Sequence, residues 1–266
     1  MKLCFSTLGC PKWSFEEVID FAVKHGYQGL EIRGVDGEMF PDKIARFQLG
    51  RQQETKKLIA DAGLKMHVFG TSVKFHEADK REENIEQGKK AIDVCAAMGI
   101  PYIRIFGDQI GDADEKTIID QVISGSKELC EYAKGTGVEV LLEVHGQFNV
   151  LERVLAVCEG VAMDNFGLVW DVAHSDKTYG DDYKVFYDGI KPYIRHIHIK
   201  DHKHVDGGFD LCRLGEGDIP ILPIVRMLID DGYDGRFSLE WEKLWHPELA
   251  EPEVAFVDYL ELMKKA

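Results

Sequence analysis

The chain has 266 residues, 45% of them hydrophobic and 10% aromatic, enough to bury one large core, which argues against a disordered or fibrous protein. Its 47 acidic side chains against 32 lysines and arginines give a formal charge of −15. That field repels phosphate backbones and anionic membrane surfaces, so neither nucleic acid nor a membrane is an expected partner.

Six cysteines without a CxxC pair or regular spacing read as reduced thiols. No apolar run is long enough for a signal peptide or a bilayer span, so a cytoplasmic location is expected.

In chain order, β-prone runs fall at 3–6, 30–33, 64–69, 102–106, 138–143, 168–171, 194–199 and 237–240, with helical patterns between them. The first helix, "SFEEVIDFAVKHG", opens with Ser14 and Glu17 in capping-box spacing and closes at Gly26. "NIEQGKKAIDVCAAMG" and "ILPIVRMLIDDG" carry apolar residues at helical spacing. Glycines end several helices just before a strand, and Gly26, Gly63, Gly99 and Gly137 recur about every 37 residues, the length of one strand, one helix and their loops. The strands are near-continuous apolar runs, as expected when both faces of a parallel sheet are buried. Eight strands alternating with helices, and no linker, predict a single-domain (β/α)₈ TIM barrel over 1–266. An open doubly wound sheet lacks support, because no GxGxxG follows the first strand.

Such a barrel carries its chemistry at the C-terminal strand ends. The fifth strand ends "LLEVHG", with Glu143 and His145; the sixth "LVWDVAHS", with Asp171 and His174; the seventh "HIHIKD"; and the eighth "FSLEWE", with Glu240. One inward carboxylate at a strand end is usually a cap or an ion-pair partner. Four consecutive strands ending in hard-metal ligands are harder to explain without a shared divalent ion.

"RHIHIKDHKH" holds four histidines. His196, His198 and Lys200 share one strand face, and His198 lies at the depth of the three acids. His196, deeper, reads as a core histidine satisfied by hydrogen bonds. His202 and His204 read as solvated residues of a loop. The expected ligands are therefore Glu143, Asp171, His198 and Glu240. Three oxygens and one nitrogen favour Mn²⁺ or Mg²⁺, with Co²⁺ or Zn²⁺ also admitted.

These strand ends, with "LGEGDIP" after the seventh strand, resemble the sugar phosphate isomerase/epimerase superfamily over essentially the whole chain. These xylose isomerase-like barrels include tagatose/psicose 3-epimerases, inosose dehydratases, hydroxypyruvate isomerases and endonuclease IV. The resemblance implies the same four metal ligands and a substrate contact for His174. It also draws attention to Glu31 in "GLEIRG", where the family often has a glutamate; a pair with a nearby arginine is the competing role. Arg104 is expected either to fix Glu143 or to meet substrate, and Lys200 and His145 are further candidates for substrate binding. Trp13, Phe75 and Trp241 could wall a sugar ring, with core packing as the default. The polar stretch "FGTSVKFHEADKREEN" is a candidate lid.

The expected chemistry follows from the site. A carbohydrate's α-proton leaves to form an enediolate, whose charge a metal can take up. Glu143 and Glu240, three strands apart, are the expected acid/base pair. Return of the proton on the other face gives epimerisation, return to the neighbouring carbon gives isomerisation, and loss of a β-hydroxyl gives dehydration, as of an inosose. The expected partner is a small carbohydrate; the oligomeric state, a homo-oligomer included, is open. An abasic-site endonuclease is disfavoured, since the region before the GEG element reads "FDLCRLGEG" without an Asp-x-His pair and "FGDQ" replaces a needed histidine. A barrel without catalysis would normally have lost a ligand, and none is lost.

Overall fold

A computed structural model describes residues 1–266. The strands are β1 (Lys2–Ser6), β2 (Gly29–Ile32), β3 (Met66–Lys74), β4 (Tyr102–Phe106), β5 (Glu139–Glu143), β6 (Phe166–Asp171), β7 (Ile194–Ile199), β8 (Asp201–Val205), β9 (Gly208–Cys212) and β10 (Arg236–Leu239). Strands β1 to β7 and β10 close into one barrel in chain order, every pair parallel. All eight expected strands are present, with ends moved by a residue or two except at β3.

Local sequence explains the helix boundaries. In α1 (Phe15–His25) Ser14 and Glu17 cap each other, and Gly26 takes the left-handed conformation at φ 77° that ends the helix without a Cβ penalty. The outer ring continues with α2 (Gln52–Asp61), α3 (Arg81–Met98), α4 (Glu115–Ala133), α5 (Leu151–Val161), α6 (Val172–Tyr179), α7 (Tyr183–Ile190), α8 (Ile221–Asp230) and α9 (Pro252–Met263). The last of these seals the first strand: Phe256 packs on Phe5 with ring centroids 4.3 Å apart, and Tyr259 Oη donates to the Phe237 carbonyl at 2.8 Å. No helix is long and apolar enough to cross a membrane.

Two expectations need correction. The segment after β3 is only partly a free loop: β3 runs on to Lys74, which pairs with Phe106, and Val73 and Phe75 are buried. That part is therefore held in the sheet. Residues 201–212, expected as loop, form an antiparallel hairpin. Its turn holds Asp206 and Gly207, with Gly207 at φ 84°, a hairpin signal that was legible in "VDGG".

Candidate metal centre and the cavity above it

Glu143 and Asp171 are the last residues of β5 and β6. His198 is next to last on β7, and Glu240 follows β10 directly. The barrel register puts Asp171 and Ser238 level with His198. Glu143 lies two residues deeper, opposite Val169, and Glu240 two residues higher than Ser238. The equal depth expected from sequence is thus a staggered one, and the longer glutamate side chains reach the common point. There His198 Nδ1 is 3.2 Å from Glu143 Oε1, 3.5 Å from Glu240 Oε2 and 3.9 Å from Asp171 Oδ2. Ligand atoms of the four side chains all lie within 4.8 Å of one another.

Each ligand is oriented from behind. Asp171 Oδ1 caps α6, accepting from the amides of Ala173 at 2.9 Å and His174 at 3.2 Å, which leaves Oδ2 for the centre. His198 directs Nε2 to both oxygens of Glu31, at 3.0 and 3.1 Å. This turns Nδ1 inward and fixes the ring. Arg104 Nε stands 2.9 Å from Glu143 Oε2 and Nη2 is 4.0 Å from Glu240 Oε1, while Nη1 donates to the Thr71 carbonyl at 3.0 Å.

All four carboxylates here, Glu31, Glu143, Asp171 and Glu240, are buried. Burial and the neighbouring charges of Glu240 and Glu143 push the Asp171 carboxyl above its ordinary range, although Lys200 opposes this. Burial also acts to raise Glu240, but His198 and Lys200 outweigh it and hold that carboxyl well below its range. His198 loses stability as a cation through burial, yet Glu240, Glu31 and Glu143 hold it well above the ordinary imidazole value. Two buried oxygens, Glu143 Oε2 and Asp171 Oδ2, lack an aligned hydrogen-bond donor, and their compensation is ionic: Arg104 Nε stands 2.9 Å from the first and Lys200 Nζ 2.9 Å from the second. The donor set and its spacing fit a divalent ion, whose oxygen ligands at about 2.1–2.2 Å stand about 3 Å apart in octahedral geometry.

Above the centre lies a cavity of about 550 Å³ walled by His145, His174, Lys177, Lys200, His202 and Glu242, among others. Its volume suits a small polar molecule. His174 Nδ1 accepts from the Gly146 amide at 3.3 Å. Burial, with the nearby His145 and Lys200, pushes its pKa well below the ordinary value. The ring is therefore neutral, with its proton on Nε2 as a donor. His145 packs against it, tilted by 42° with ring centroids 4.1 Å apart, and sets Nδ1 3.4 Å from Asp108.

Of the expected substrate contacts, His174, His145 and Lys200 line this cavity; Arg104 and Glu31 do not. Arg104 takes the internal ion-pair role. Glu31 is fully buried and pairs with His196 at 2.8 Å and with His198, where the competing expectation was an arginine. His196 is the buried, hydrogen-bonded histidine it was expected to be. His202, expected in solvent, is 1% exposed and bonded to Asp176 at 2.8 Å. Phe75 and Trp241 are core residues, and Trp13 packs on Phe21 and Phe256.

Lys200 is also more embedded than expected. Its Nζ lies 2.9 Å from Asp171, 2.6 Å from Glu240 and 2.6 Å from Glu242. Glu242 is not among the residues expected from the sequence, although the alternation in "LEWE" continues from β10 through Glu240 to Glu242.

Residues 19–266 match the model of the xylose isomerase-like TIM barrel family, and the chain belongs to that family. It is 26% identical over 250 residues to fructoselysine 3-epimerase of Shigella flexneri, covering 90% of each chain. It is likewise 26% identical to inosose isomerase of Bacillus velezensis, covering 93% of this chain and 90% of the relative. Among solved structures, the IOLI protein with a bound zinc atom superposes with a TM-score of 0.82 at 21% identity, over 100% of this chain and 99% of the other.

Proposed function

We propose that this protein is a divalent-metal-dependent epimerase or isomerase of a small carbohydrate, acting by proton transfer at a carbon beside a carbonyl. The observation that carries the reading is the Glu143–Asp171–His198–Glu240 cluster beneath a polar cavity, with His198 turned into it by Glu31. Epimerases and isomerases among its relatives support the same class. Those four residues would hold one ion, with Mn²⁺ or Mg²⁺ favoured by three oxygens and one nitrogen and Co²⁺ or Zn²⁺ also suitable. Bound there, the ion would supply positive charge against the negative charge that grows on the substrate's carbonyl and neighbouring hydroxyl oxygens.

The chain's own residues do the rest. Glu143 and Glu240 approach the centre from strands three apart in the barrel order, so they can serve opposite faces of one carbon. Arg104, close to both, favours their ionised, proton-accepting form. His174 offers a neutral N–H to a substrate oxygen, and Lys200 offers a cation beside Glu240. Dehydration is the second reading: Glu240, once it has taken the α-proton, can return it to a departing β-hydroxyl, with the Lys200 cation 2.6 Å away to stabilise the carboxylate left behind.

The test is incubation in D₂O with Mn²⁺ and a panel of ketoses, aldoses, inososes and 3-keto sugars, followed by NMR. Deuterium at a carbon next to a carbonyl, with a new epimer or isomer, is the expected result. A product lacking water selects dehydration, and no exchange with any class at full metal occupancy sinks the proposal.

A further inference from the structure

A second set of ligand-type side chains stands at the rim of the cavity, built from residues distinct from the first centre. His202 and His204 are two apart on β8 and so share one face of the hairpin. Both turn Nε2 to the same oxygen of Asp176 on α6, at 2.8 and 2.9 Å. Ligand atoms of the three lie within 4.8 Å of one another. No lysine or arginine is paired with this carboxylate; its ionic partners are the two histidines alone.

The arrangement is held in place before any ligand arrives. Asp201, at the foot of the hairpin, accepts from the amides of Gly215 at 2.9 Å and Gly217 at 3.0 Å. Asp218 takes the His204 amide at 2.7 Å. The Phe209 ring packs on both imidazoles, at 4.6 Å from His202 and 5.3 Å from His204. Asp176 and His202 are 5% and 1% exposed, whereas half of the His204 side chain is open to solvent. Two ligands are thus shielded and the third leaves a way in.

We infer that Asp176, His202 and His204 form a second divalent-cation site, of the zinc class, that clips the hairpin to α6 beside the cavity. Two imidazoles and one carboxylate are a borderline donor set that prefers Zn²⁺, whereas the three carboxylates and one histidine of the first centre prefer harder ions. Tetrahedral ligands about 2.0–2.1 Å from zinc stand about 3.3 Å apart. The observed separations therefore need only a few tenths of an ångström of opening, with both imidazoles releasing their Nε2 protons or shifting tautomer. The remaining positions would face solvent and the cavity that His202 lines.

The test uses the full chain freed of metal with a chelator, then saturated with Mn²⁺ at the first centre and titrated with ZnCl₂. Wild type should take up one zinc ion per chain more than His204→Ala, at micromolar or tighter affinity, whatever zinc exchanges for manganese at the first centre. Because the His204 side chain is half exposed, that variant should fold, which circular dichroism checks; His204→Gln serves as a second version. Anomalous scattering at the zinc edge from the wild type should place a peak between the three side chains. Equal zinc uptake by wild type and His204→Ala, or a peak only at the first centre, overturns the inference. Loss of the proposed carbohydrate reaction alone would not touch it, since the readout is occupancy.

Discussion

Glu31 reaches across the barrel from β2 to His198 on β7, placing its two carboxylate oxygens 3.0 and 3.1 Å from Nε2. Neither residue's role is visible without the other: the glutamate fixes which imidazole nitrogen faces Glu143, Asp171 and Glu240. Glu31→Gln should keep the fold but weaken divalent-metal binding roughly 10–100-fold, the usual cost of losing such an orienting partner. Isothermal titration with Mn²⁺ measures it. His198→Ala should lose more, because a ligand itself is gone; unchanged affinity in Glu31→Gln would show that the ring needs no such anchor.

Lys200 is a built-in cation among the ligands, touching Asp171 and Glu240 at the oxygens nearest His198. Lys200→Met should destabilise the metal-free protein by roughly 3–5 kcal/mol, since it leaves buried carboxylates uncompensated. Added Mn²⁺ should then restore stability, and the metal-induced rise in Tm should be larger than in wild type. A smaller rise than in wild type would mean that Lys200 supports the ion instead of competing with it.

The acids around His198 hold its pKa well above the ordinary imidazole range despite burial, which favours its protonated form in the metal-free protein. The raised value means that this charge stabilises the metal-free fold fully below the ordinary range and ceases to do so as pH rises through the elevated one. Metal affinity has the opposite slope: it should climb with pH over that interval, because the Nδ1 proton must leave. Titrations in buffers of different ionisation enthalpy should show about one proton released per ion bound. No release would place the proton elsewhere.

The two proposed bases can be separated by isotope exchange. Glu240→Gln keeps an oxygen toward the ion, so metal should stay while turnover falls roughly 10²–10⁴-fold. Exchange with D₂O should survive for the epimer that faces Glu143, and Glu143→Gln should show the mirror pattern. Equal loss of exchange for both epimers in both variants would favour a single-base isomerase or dehydratase.

The barrel and the four candidate ligands were legible because strand ends are written in sequence: an apolar run that stops at an acid needs no tertiary knowledge to be seen. What lies behind those ligands was not. Glu31 meets His196 and His198 through a register that spans 165 and 167 residues of chain, and single-sequence periodicity holds no such pairing. His202 was misread for a different reason. The Asp206–Gly207 turn and the alternation on either side marked a hairpin, but it lies between the seventh and eighth barrel strands, where a loop leading to a helix is the default. Depth was misjudged as well, because closing eight strands staggers their ends.

Asp171 divides its two oxygens between jobs of different kinds, one starting α6 and one facing the centre. The position is therefore doubly constrained. Asparagine would preserve the helix start and forfeit the charge; glutamate would carry the charge on an arm too long to cap. The coupling is also mechanical, because α6 bears both His174 and Asp176 on its first turns. Tension on that carboxylate from a bound ion would be felt directly by the wall of the cavity, so the occupancy of one centre and the shape of its antechamber cannot vary independently.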